Sequence, residues 1–127
     1  MNKIIYIPSD VVLKVCISDL YDESGEPITI SDTSKVELTF TSGGASKSFV
    51  LDMDDSATLP EGVSIVTKET NANEETDVDP YIVICLCTQG LLPGQLALRS
   101  DVSIPDTRFH EGVRHEVDEY LFPVILK

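Results

Sequence analysis

From Tyr81 to Pro105 the chain reads YIVICLCTQGLLPGQLALRSDVSIP. Two runs flank the tetrapeptide Leu-Leu-Pro-Gly. The first, Tyr81 to Thr88, is rich in aromatic and β-branched residues, which fit a pleated, half-buried surface better than a helix. The second runs from Gln95 to Ile104. Between them Pro93 presets φ for the second position of a turn, and Gly94 can supply φ > 0 at the third, which describes a type II turn. This predicts a hairpin in the interior of an all-β domain. The hairpin carries no chemistry of its own.

The remaining segments repeat the pattern. Val11 to Ile17 reads as a first core strand, with Val11, Leu13, Val15 and Ile17 on one face. Asp22 to Pro27 is a polar turn cluster, and Ile28 to Ile30 follows as a short strand. Lys35 to Thr41 alternates without a break, so Val36, Leu38 and Phe40 face in while Lys35, Glu37 and Thr39 face out. Ser42-Gly-Gly-Ala45 is a hairpin turn, and Ser46 to Met53 returns with Phe49, Leu51 and Met53 on one face. Asp54 to Gly62 reads as a loop, Val63 to Thr67 as a short strand, and the polar stretch Glu69 to Pro80 as an exposed loop or tip. Pro105 ends a strand because it lacks a donor. Asp106 to Gly112 is a turn, and Val113 to Lys127 is a last long run in which Pro123 implies an edge or a break.

No segment sustains the period of an amphipathic helix. About seven to nine short strands spaced near ten residues apart are the signature of a sandwich or small barrel. The reading is an antiparallel, immunoglobulin-like β-sandwich over residues 9–127, preceded by an arm or edge strand over residues 1–8. Its core is expected to hold Val11, Leu13, Val15, Val36, Leu38, Phe40, Phe49, Leu51, Ile82, Ile84, Leu86, Leu96 and Leu98. The facing of Tyr81 to Cys87 stays open, because that whole run is apolar.

Lys and Arg number 9 against 22 Asp and Glu, a formal charge of −13. That charge repels phosphate backbones and anionic lipid, which sets aside nucleic acid and membrane surfaces as partners. The plain reading of such acidity is solubility, and the functional one is steering toward a basic partner or toward cations. No apolar run approaches the roughly 20 residues of a membrane span. The N-terminus, MNKIIYIP, lacks the apolar stretch of a signal peptide, so synthesis and initial residence in the cytoplasm are expected. Cys16, Cys85 and Cys87 all lie in strand-like apolar runs and are expected to be small buried hydrophobes in a reduced protein.

The search for a chemical site returns little. His110 and His115 lie near Glu111, Glu116 and Asp118, which are metal-donor types, but their spacing does not put both rings on one strand face. They are read as surface histidines in a turn. Asp52, Asp54 and Asp55 offer oxygen donors for calcium without the glycine and distal glutamate of an EF-hand loop, so they too are read as polar loop residues. No nucleophile–base pair is suggested, so neither catalysis, a cofactor nor a metal is expected. The absence of Trp weakens a sugar-stacking reading, which leaves Tyr6, Tyr21, Tyr81 and Tyr120 as its candidates.

The order of elements carries a resemblance. An opening SDVVLKVCISD, then KVELTFTS, then LLPGQLALRSDVSIPD, and then Phe109, Gly112 and Arg114 before a closing strand resemble the small β-sandwich modules in virion proteins of tailed phages, especially of Bacteroides-type hosts. They are also similar to the N-terminal domains of baseplate and receptor-binding-protein adaptors. The resemblance covers Ser9 to Leu126, with Ile104-Pro105-Asp106, Phe109, Gly112 and Arg114 as its most distinctive part. It implies a non-enzymatic virion protein, a head-fibre, decoration or tail and baseplate subunit that holds other virion proteins in place as a homo-oligomer. A carbohydrate-binding module contacting host-surface or dietary glycans is the alternative.

Two segments are candidate contact surfaces. Lys3 to Pro8 is a short β-prone run separated from the first core strand, and an exposed strand of this kind either adds to a neighbour's sheet or folds back as an edge of its own. Ile4, Ile5, Tyr6 and Ile7 would supply its specificity. Arg108, Phe109 and Arg114 concentrate the Arg and aromatic character typical of contact hot spots.

Overall fold

Alternation decides which side of each strand is buried, and two sheets close over the result. The computed structural model describes residues 2–55 and 58–127. The strands are β1 (Lys3–Ile5), β2 (Asp10–Val15), β3 (Leu20–Tyr21), β4 (Pro27–Ile28), β5 (Lys35–Ser42), β6 (Ala45–Asp52), β7 (Val63–Asn71), β8 (Glu74–Cys87), β9 (Gly94–Pro105) and β10 (Val113–Leu126). Ten strands among the described residues exceed the expected count, because β1, β3 and β4 are very short. Ile28–Ile30 is not one strand: β4 ends at Ile28, and Ile30–Asp32 is a single 3-10 turn. Of the loop expected over Asp54 to Gly62, residues 56 and 57 lie outside the described residues.

One sheet has the order β1-β10-β9-β5-β6 and the other β2-β8-β7, with β3-β4 as a separate pair. All pairings are antiparallel except β1 with β10, which is parallel. The inner side carries Val36, Leu38 and Phe40 of β5, Leu96 and Leu98 of β9, and Ile82, Ile84 and Leu86 of β8, all buried. The open question of facing in Tyr81 to Cys87 is thereby resolved. Phe40 meets Phe49 edge-on at 5.9 Å and stacks on Phe122 at 6.0 Å. Val11 and Phe49, expected in the core, are only partly buried and pack against it.

The Leu-Leu-Pro-Gly segment is not a hairpin. β8 and β9 belong to different sheets, so the segment carries the chain from one to the other. Leu91 is buried, and Leu92 is tied to the β5–β6 turn through Ser42 Oγ donating to the Leu92 carbonyl at 2.7 Å. Gly94 has φ +152, which is not the value of a type II turn.

The polar stretch Glu69 to Pro80 is also not a loop. β7 and β8 continue as a two-stranded ribbon to a turn at Ala72 and Asn73, whose φ values are +51 and +69. Such paired positive φ values suit the twist of a two-residue hairpin. Pro80 sits where the β7–β8 register shifts, and Pro123 where the β9–β10 register shifts. Both prolines thus occupy irregularities that do not need their missing donor.

The three cysteines are exposed, against expectation. Ile82, Ile84 and Leu86 take the inner positions of β8, so Cys85 and Cys87 must point outward. Cys16 follows β2 on that same outer side, one position beyond buried Val15.

Candidate functional site

The turn joining β9 to β10 is organised by one carboxylate. The Asp106 side chain is buried, and a buried carboxylate is tolerated only when paired and hydrogen-bonded. It accepts from the Arg108 backbone N–H at 3.1 Å, from Arg108 Nε at 2.9 Å and Nη2 at 2.7 Å, and from Arg114 Nη1 at 2.6 Å. These bonds, those from Arg108 foremost, outweigh desolvation and hold the Asp106 carboxyl well below the usual carboxylate range. Asp106 in turn raises Arg108. Arg114 also donates through Nη2 to the Tyr21 carbonyl and through Nε to Glu116 at 3.1 Å. Thr107 Oγ1 donates to Glu23 Oε2 at 2.7 Å, a second tie to the chain around β3.

Arg108 and Arg114 are therefore brought together with Asp106. Arg114 is mostly covered, its side chain 17% exposed, and spends its donors within its own chain. Arg108 keeps an accessible face, and Phe109 is exposed.

The N-terminal arm lies on its own sheet. Lys3, Ile4 and Ile5 pair with Val124, Ile125 and Leu126. Lys127 N–H donates to the Ile5 carbonyl at 3.0 Å, and Ile7 N–H to the Lys127 carbonyl at 2.9 Å. Ile5 is buried and Ile7 partly buried, whereas Ile4 and Tyr6 are exposed. Arm and turn do not form one cluster: β1 meets the last residues of β10, and the turn precedes its first.

One grouping was not visible in the sequence. The β9–β10 register sets His115 opposite Ser103, and His115 Nδ1 lies 2.8 Å from Asp101 Oδ1 and 3.4 Å from Ser103 Oγ. Both partners address the same ring nitrogen, unlike a triad in which base and orienting carboxylate use opposite ones. Asp52 Oδ1 accepts from the Asp54 N–H at 3.0 Å, a local turn bond. Among the described residues no three His, Cys, Asp or Glu side chains gather around a common point for a metal ion.

One open backbone edge is on β10; β7 and β6 present others at the ends of their sheets. β9 flanks one side of it, while β1 covers the other side only at Val124–Leu126. From Val113 to Leu121 that second side has no strand among the described residues. Register divides this segment into two rows. Arg114, Glu116, Asp118 and Tyr120 lie opposite the buried Ile104, Val102, Ser100 and Leu98, hence on the inner side. Glu116 and Asp118 are nevertheless exposed, so the second sheet stops short of them. Val113, His115, Val117, Glu119 and Leu121 form the outer row, followed beyond the bulge by Ile125 with Ile4 beside it. Val117, Leu121 and Ile4 are exposed, Leu121 at 66%. A shallow groove of about 460 Å³ crosses this outer side, lined by Thr39, Thr41, Arg99, Glu119, Tyr120 and Leu121 among others.

No helix among the described residues is long and apolar enough to cross a membrane. Compared with known proteins, the chain matches no family model, no curated sequence and no solved structure.

Proposed function

We propose that this chain is a non-enzymatic assembly module, working through protein–protein contacts. We further propose that it is a virion protein of a tailed phage, made in the bacterial cytoplasm: a head-fibre, decoration, or tail and baseplate adaptor subunit. The sandwich is read as immunoglobulin-like. The observation that supports the contact role best is the set of exposed apolar side chains on the outer side of β10 and β1, interspersed with His115 and Glu119. Val117, Leu121 and Ile4 recur there on one face beside an open edge, and apolar side chains collected on a face favour contact with another protein. The phage assignment rests on the sequence resemblance alone.

The glycan reading draws less support. Tyr6, Tyr21, Phe109 and Tyr120 are exposed and Tyr81 is partly buried, and the Tyr120 ring belongs to the inner row, its hydroxyl 3.1 Å from Ser100 Oγ, away from the groove on the outer side. A sugar platform needs rings that converge on one footprint.

Mass spectrometry of purified virions tests the assignment directly, and stoichiometric recovery of the chain is expected. Ile4→Asp with Leu121→Asp tests the contact role. Both side chains are exposed, so the variant should fold with a near-native circular dichroism spectrum but be lost from the particle. Normal incorporation of the variant would refute a contact role for this row. Binding of the wild-type chain on a glycan array, together with its absence from virions, would favour the alternative.

A further inference from the structure

Resting on the assembly reading, we infer that the open edge of β10, Val113 to Leu121, receives an extended segment of a partner protein with alternating basic and apolar residues. Nine consecutive residues there lack a neighbouring strand on one side among the described residues. An open edge of this length invites an added strand, whose main-chain bonds give affinity and whose alternate side chains give specificity.

The two rows of β10 set what that strand must carry. On the inner side Glu116 and Asp118 are exposed carboxylates two residues apart. Glu116 shares the Arg114 guanidinium at 3.1 Å, and Asp118 has no ion-pair partner among the described residues. Cross-strand neighbours of opposite charge stabilise a pairing and like charges oppose it, so the incoming strand places Lys or Arg opposite these two. On the outer side His115 already meets Asp101 at 2.8 Å and Glu119 meets Arg99 at 3.8 Å, which leaves Val113, Val117 and Leu121 to ask for apolar neighbours. Because strand side chains alternate between faces, one incoming strand meets both demands only if basic and apolar residues alternate along it.

A second copy of this chain fits the edge poorly. In a two-fold antiparallel pairing centred on Val117, Glu116 falls opposite the second copy's Asp118, and the reverse. That sets four carboxylates together between two bodies each carrying a formal charge of −13. Charge complementarity therefore selects a basic partner, and the pairing should weaken as salt rises.

The probe is an acetylated, amidated heptapeptide alternating valine and lysine, with glutamate replacing lysine in the control. The lysine peptide should bind and slow amide hydrogen exchange across residues 113–121, while the glutamate peptide does neither. Glu116→Lys with Asp118→Lys should weaken the lysine peptide by about tenfold or more and admit the glutamate peptide. Glu74→Lys with Glu75→Lys makes the same change of net charge on the exposed β7–β8 ribbon and should have little effect. Equal loss in both double variants would reduce the binding to overall charge and overturn the inference. Binding without added protection at 113–121 would overturn it too, as would concentration-dependent protection there without peptide, which marks a second copy on the edge. Recovery of the chain from virions despite failure of the peptide would remove this edge assignment and leave the assembly reading standing. Peptide binding by a chain absent from virions would do the opposite.

Discussion

Asp106 and Arg114 lie eight residues apart on opposite sides of the β9–β10 turn, and Arg114 Nη1 stands 2.6 Å from Asp106 Oδ2. The pair does more than close a turn. Arg114 passes the constraint to the Tyr21 carbonyl, so the β3–β4 pair is fastened to the start of β10. A side chain singled out from sequence as a contact hot spot is thus a strut. Phe109, in the same turn, is an exposed large apolar side chain.

Replacing the carboxylate tests the strut. Asp106→Asn removes the buried charge that Arg108 and Arg114 share, leaving Arg114 only the exposed Glu116, so the melting midpoint at neutral pH should fall by several degrees. The folded-state pKa of Asp106 lies below its unfolded value, because Arg108 and Arg114 favour the charged form. Its contribution to stability is therefore fully present above about pH 4, the unfolded carboxylate range, and is lost as pH falls below it. The gap between wild type and variant should narrow in acid. Thermal melts across that range check the sign, and a gap that widens toward low pH would reject the account.

How much of this was legible depended on whether a segment carried a two-residue period. Lys35 to Thr41 did, and Val36, Leu38 and Phe40 are all buried as the alternation required. Tyr81 to Cys87 did not, since apolar residues occupy both parities; Ile82, Ile84 and Leu86 are in the core as expected, but its cysteines, expected buried, are exposed. The β7–β8 ribbon beyond the core has no apolar side to bury, so Glu69 to Asp79 gave only polarity and passed for a loop. Its turn carries Ala72 at positive φ, a residue with no turn signature. Pairing between distant strands left no local trace at all. The crossing at Leu91 to Gly94 and the meeting of His115 with Asp101 and Ser103 both follow from sheet order and register. The open edge of β10 was hidden for the same reason, because an edge is defined by which strand fails to arrive.

Gly43 and Gly44 separate two reasons for a glycine in the β5–β6 turn. Both have positive φ, +62 and +88. A Cβ on Gly44 would meet nothing, whereas one on Gly43 would lie 2.6 Å from both Leu92 Cβ and the Pro93 carbonyl oxygen. Gly44→Ala pays for backbone conformation only, about 1 kcal/mol. Gly43→Ala adds a clash with the segment that crosses between the sheets, roughly a further 1–3 kcal/mol by analogy with overpacking. Urea unfolding of the two variants should give distinct midpoints, with Gly43→Ala the lower. Equal midpoints would mean that the crossing yields freely and does not hold the turn.

The cysteines give the most direct check on how β8 is oriented. Ile84 and Leu86 are fully buried, and Cys85 and Cys87 alternate with them on the exposed side, across from Val12 and Asp10 of β2. Cys16 is exposed as well. A thiol reagent such as Ellman's should therefore titrate all 3 cysteines of the chain in the native protein, without denaturant. Substitution should be mild for the same reason: Cys85→Ser with Cys87→Ser removes no core volume and should change stability by about 0.5 kcal/mol or less at each site. A one-residue slip of β8 against β2 would reverse every side chain between the two faces. In that arrangement the thiols would react only after unfolding, and the serine variant would bury two hydroxyls in the core. Slow native titration combined with a strongly destabilised double variant would require that slipped register, and with it a different core.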